Sequence, residues 1–67
     1  MITADNITDA QIEELMRVAK IEGHKATVYT CKLALDDGAT HQRADRIREA
    51  RQRVAEILNS RANGATP

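Results

Sequence analysis

Residues 41–62, HQRADRIREARQRVAEILNSRA, decide the fold. Ile47, Ala50, Val54, Ile57 and Leu58 recur on one helical face, and Asp45, Glu49 and Glu56 gather on the opposite one. No Gly or Pro interrupts the run, so it predicts a single helix of ~33 Å at ~1.5 Å per residue. Ile47, Val54 and Arg61 fall at one heptad position with Ala50 and Ile57 at the other, but the repeat is too short for a coiled coil. Glu49 and Arg53 have the i, i+4 spacing of a favourable ion pair.

Two shorter amphipathic segments precede it. In Ile7-Thr8-Asp9-Ala10-Gln11-Ile12, Thr8 is placed to cap a helix and Gln11 to reach back, with Ile7 and Ile12 as a hydrophobic staple. Ile12, Leu15, Met16 and Ala19 continue as one stripe, and Gly23 supplies a left-handed stop. The second segment, 25–36, carries two stripes, Val28, Cys31 and Leu35 on one side and Ala26, Tyr29 and Leu33 roughly 120° away. A helix apolar on two sides is expected between two others. Asp37 or Thr40 is the expected cap of the third helix, with Gly38 in the turn. The reading is an all-α, three-helix domain over residues 7–62 with a long third helix, a flexible leader at 1–6 and a flexible tail at 63–67.

Composition narrows function. The chain has 67 residues, one Tyr, one Cys and neither Phe nor Trp. For so small a core, burial and ordering nearly cancel, at ~1.5–3 kcal/mol gained per buried aliphatic side chain and ~1.5 kcal/mol lost per ordered residue. A partner or a second copy would tip that balance. One cysteine excludes an intrachain disulfide. No basic, apolar signal segment and no apolar run of membrane-spanning length is present, so the expectation is a cytoplasmic protein that does not enter the membrane.

The formal charge is zero, yet unevenly distributed. Residues 1–40 hold four basic and seven acidic side chains, and residues 41–67 hold six Arg and three acids. The asymmetry fits either two halves of one fold neutralising each other or a surface for an acidic macromolecule.

Catalytic chemistry is not expected. Cys31 lies on an inner stripe, where a free cysteine acts as a small hydrophobe. His24 is two turns from it, ~10 Å along one helix, too far for a hydrogen bond. His24, Cys31 and His41 lack zinc-ligand spacing, and Asp36-Asp37-Gly38 fits a turn better than a cation site. No catalytic residue, metal, cofactor or small-molecule substrate is therefore expected.

Two binding readings remain. A long helix outreaches two short ones, so the surplus around Val54, Ile57 and Leu58, with Arg51, Arg53 and Arg61 at its margins, is the expected contact surface for a protein partner or a homodimer. Lengthwise packing across both short helices is the competing explanation. The alternative function is a helix-turn-helix DNA-binding regulator. Ala34 and Gly38 have its spacing, Leu33, Ala44 and Ile47 fit its apolar positions, and Thr40, His41, Gln42 and Arg43 would open the recognition helix. Asp37 departs from that pattern where an apolar residue belongs, and acids interrupt the arginines.

The run Ile7 to Ile12, then Leu15, Ala19 and Gly23, then Val28, Cys31, Ala34 and Leu35, resembles a group of short bacterial reading frames carried by phages and plasmids. They share an Ile-Thr-Asp-x-Gln-Ile opening, a Val-x-x-Cys-x-x-Ala-Leu middle and an Ala/Arg-rich closing helix. The resemblance extends from Ile7 to Leu58, and no functional residue carries over from it. It implies a mobile-element accessory protein acting by binding, as a regulator or as an inhibitor of a host defence complex. The connection Asp36 to Thr40 and the longer closing helix depart from the group's pattern.

Overall fold

The computed structural model describes residues 1–37 and 41–63. It is all-α, with helices α1 (Asp9–Glu22), α2 (Lys25–Ala34) and α3 (His41–Asn63) in that order. The third is the longest, at 23 residues against 14 and 10.

Local chemistry fixes both ends of α1. The Gln11 amide donates to Thr8 Oγ1 at 3.2 Å while the Thr8 amide donates to Gln11 Oε1 at 2.8 Å, a closed capping box. At the other end Gly23 takes φ 77°. Its amide donates to the Lys20 carbonyl at 3.3 Å, and the His24 amide to that of Ala19 at 2.9 Å. That pair of bonds is a Schellman closure, and only a residue without Cβ adopts its left-handed corner cheaply. The tight reversal sends α2 straight back along α1.

Ion pairs trace the rest of the path. Arg51 meets Asp9 at 2.9 Å, near the start of α1, and Arg61 meets Glu22 at 3.6 Å, at its end. Arg43 pairs with Asp36, just beyond α2. The helices therefore run up, down and up. Helix α2 packs against both neighbours, whereas α1 and α3 approach closely at few points. Long arginine side chains bridge that wider gap. The core comprises Ile7, Ile12, Leu15, Cys31, Ala34, Ala50, Val54 and Ala55, with Ile47 and Ala19 also buried.

Three expectations change. Helix α2 stops at Ala34, with Leu35 as its cap residue, two positions before the expected end. Carboxylates are disfavoured at a helix C-terminus, and the chain leaves the helix before Asp36 and Asp37. Second, α2 does lie between its neighbours, but both sit on one side of it. Cys31 and Ala34 are buried, whereas Ala26 is exposed, Leu33 half-buried and Tyr29 70% exposed. Ala26 and Tyr29 of the second stripe face solvent, and Leu33 packs against the edge of the core. Third, Glu49 and Arg53 form no ion pair among the described residues. Gly38 and Thr40 of the expected connection lie outside the described residues, as do residues 64–67 of the expected tail.

Residues 1–6, expected as a flexible leader, are bonded to α3. Asn59 clasps Ile2 at both backbone groups, accepting from its amide at 2.9 Å and donating to its carbonyl at 2.7 Å. Gln52 Oε1 accepts from the Ala4 amide at 3.1 Å, and Arg48 donates to Asp5 at 2.8 Å. Positions 48, 52, 55 and 59 share a face roughly 120° round α3 from the Val54 stripe. Ile2 packs, part-buried, against the core. A turn closes the leader on itself, with the Ile7 amide donating to the Thr3 carbonyl at 3.0 Å.

Two substitutions test this account. Asn59→Ala removes both clasp bonds at a part-buried site and should cost about 1–3 kcal/mol in thermal or urea unfolding. The Ile2 amide should lose hydrogen-exchange protection ahead of α3, and unchanged protection would remove the clasp from the account. Gly23→Ala meets no neighbouring atom within 4 Å. Its cost, about 1–2 kcal/mol, should come from backbone strain alone, with Gly23→Asn milder.

Candidate functional site

The distribution of ion pairs divides the cationic side chains into two sets. Arg17, Arg43, Arg48, Arg51 and Arg61 each face an acid: Glu14, Asp36, Asp5, Asp9 and Glu22. The Arg48 guanidinium, hydrogen-bonded and close in charge, holds the Asp5 carboxyl below the ordinary carboxylate range, and Arg17 does the same to Glu14. Four of these pairs join the first part of the chain to α3, the neutralising arrangement that the charge asymmetry allowed. Among the described residues Lys20, Lys25, Lys32, Arg46 and Arg53 have no such pair.

All five unpaired cations surround Tyr29. On a helical wheel Lys25 and Lys32 lie roughly 40° and 60° from Tyr29, both on the same side of it, and all three point away from Cys31 and Ala34. Between α1 and α2 a groove is lined by Ala19, Lys20, Gly23, Lys25, Val28 and Tyr29. Between α2 and α3 a second groove brings Tyr29 and Leu33 to Arg46, Glu49, Ala50 and Arg53. Tyr29 is the ridge between them; among the described residues Glu49 lines the second groove, Asp36, itself paired with Arg43, stands beside Tyr29 and Lys32, and Glu56 lies beside Arg53. From Arg53 the surface continues to Ile57 and Arg61.

The site residues expected on α3 separate. Val54 is completely buried and faces the core. Ile57 and Leu58 are half-buried against that core. Arg51 is held by Asp9 and Arg61 lies near Glu22, which leaves Arg53, Ile57 and Arg61 at the surface. The stripe was expected to outreach its neighbours, but α1 runs beside its second half and the leader lies along the adjoining face.

For the DNA-binding alternative, Thr40 lies outside the described residues, as do the side chains of His41 and Gln42. Arg43 is engaged by Asp36. Ala44 and Asp37 are both exposed, whereas a helix-turn-helix corner packs apolar residues at those places.

Apolar spacing alone assigns Ala26, Tyr29 and Leu33 to a second core face and so does not reveal the Tyr29 surface. Tyrosine carries a polar tip, and lysines at i−4 and i+3 are the signature of a solvated side. That combination was the available signal.

Among the described residues no three ligating side chains gather at a possible metal site, and no helix is long and apolar enough to cross a membrane. Cys31 is fully buried, and burial pushes its thiol pKa up. The nucleophilic thiolate is thus disfavoured at neutral pH. Alkylation of Cys31 should proceed only at the rate of unfolding and accelerate sharply across the urea transition. Labelling as fast as an unfolded control in native buffer would contradict this burial. No protein-family model, curated protein or solved structure matches the chain, so the assignment of its surface rests on its own geometry.

Proposed function

We propose that this chain is a small non-catalytic protein-binding module that engages its partner through the outer faces of α2 and α3. One observation carries the reading: among the described residues the Lys and Arg side chains without an ion pair line the grooves beside the exposed Tyr29, on a surface that runs through Arg53 to Ile57 and Arg61. Aromatic and arginine side chains beside half-buried aliphatics are what protein interfaces concentrate. The buried thiol supports a role without nucleophilic catalysis. The resemblance noted above supports an accessory role in a phage or other mobile element, with inhibition of a host defence complex as one form it would take.

Tagged chain captured on resin from host lysate, with and without nuclease, tests the reading. A specific protein should survive nuclease and be lost with Arg53→Glu, an exposed site where the variant folds normally. Val54→Asp is unsuitable because it buries a carboxylate in the core and would unfold the chain. Retention of nuclease-sensitive material alone, abolished by Gln42→Ala with Arg43→Ala, would replace this reading with the DNA-binding regulator. Sedimentation of the pure chain separates a homodimer from a module for another protein.

A further inference from the structure

We propose that the groove between α1 and α2, with Tyr29 as its wall, docks an acidic amphipathic helix of a partner protein. The proposal rests on the protein-binding reading above and specifies its partner's chemistry. Lys20, Lys25 and Lys32 stand around a floor made by Ala19, Gly23 and Val28. Such a groove asks for an apolar ridge flanked by carboxylates.

Charge complementarity sets the sign of the occupant. Like charges crowded on one face repel in the free protein. The chain pairs five arginines with its own acids and lines this groove with three lysines and no acid, with Glu49 in the adjoining groove and Asp36, held by Arg43, beyond Lys32. An acidic partner supplies the missing counter-charges. Helix α2 adds to the attraction, because its cap residue His24 makes no side-chain capping bond and its positive end opens beside Lys25.

The floor sets the kind of occupant. A nucleic-acid strand presents phosphates along a polar ribbon and is matched by a continuous basic stripe. Here the cations are rim groups around apolar floor, and lysine stems extend that floor towards the charge. Ala19 and Gly23 are small enough to admit a partner's Leu or Met between the helices. The described residues contain no strand, so no sheet edge is available to pair an extended peptide. A segment that satisfies its own backbone, a helix, fits best.

A displayed library of amphipathic helical peptides tests this, with apolar residues fixed at i, i+3, i+4 and i+7 and the rest randomised. Selection on the full chain should enrich Asp and Glu beside the apolar positions. Synthesised winners should shift the amide resonances of Lys20, Lys25, Tyr29 and Lys32. They should weaken roughly tenfold or more with Tyr29→Asp; since Tyr29 is 70% exposed, that variant should melt like the parent. Lys25→Glu with Lys32→Glu should reverse the preference towards basic peptides. No enrichment, enrichment without acidic excess, or binding indifferent to Tyr29→Asp would overturn the proposal. So would oligo-dT shifting the same amides at lower concentration than the peptides. A lysate partner lost with Arg53→Glu but kept by Tyr29→Asp would overturn the docking groove while leaving the protein-binding reading intact.

Discussion

The clasp between Asn59 and the backbone of Ile2 is the interaction on which the long third helix depends. Helix α3 spans ~34 Å at ~1.5 Å per residue, whereas α2 spans ~15 Å. Alone, α2 would leave most of α3 uncovered. Helix α1 is offset along the second half of α3, and the leader folds down a third face as far as Asn59. The amide of Asn59 substitutes for a strand neighbour, taking one donor and one acceptor from the same residue. A segment with little apolar content of its own thereby becomes a fourth wall, and Ile2 and Ile7 reach the core.

A second economy follows from that geometry. Because α1 and α3 approach closely at few points, much of their facing surface is joined by long side chains. Arginine suits this role, with a long stem and a planar donor fork. Arg51 and Arg61 bridge to the two ends of α1, and Arg48 to the leader. These are exposed or half-exposed pairs, each worth little to stability. What they accomplish is local neutrality: the acids of the first part and most arginines of α3 cancel in place. The residue left over is the basic cluster around Tyr29.

The fold was legible because each helix carries its own punctuation. Thr8 with Gln11, and Gly23 with the carbonyls behind it, state where α1 begins and ends in terms that need no tertiary context. The uninterrupted run of α3 was equally plain. Two things depended on three-dimensional placement and were not legible. The leader's bonds join Ile2 to Asn59 and Ala4 to Gln52 across most of the chain, and no local pattern announces a side chain that seeks another segment's backbone. The outer stripe of α2 was visible as Ala26, Tyr29 and Leu33, but periodicity gives only that a side is apolar. It does not say whether another helix will cover it. Once α1 and α3 settle against the core side of α2, none of the described residues covers Tyr29.

That last point bears on where binding should occur. Part of the apolar stripe expected as surplus on α3 lies in the core, and a further uncovered aromatic side chain stands on α2. Val54 is used up in the core, with Ile57 and Leu58 half-buried against it, and large uncovered side chains stand elsewhere, Ile21 on α1 and Tyr29 on the outer face of α2. An exposed tyrosine alone needs no explanation, since scattered apolar groups are normal on protein surfaces. Tyr29 differs because the unpaired cations of α1, α2 and α3 converge on it. A solvated face chosen only for solubility would mix both signs of charge. Here most of the neighbouring acids are drawn into other pairs, so on its α1 side the one aromatic side chain stands among lysines alone.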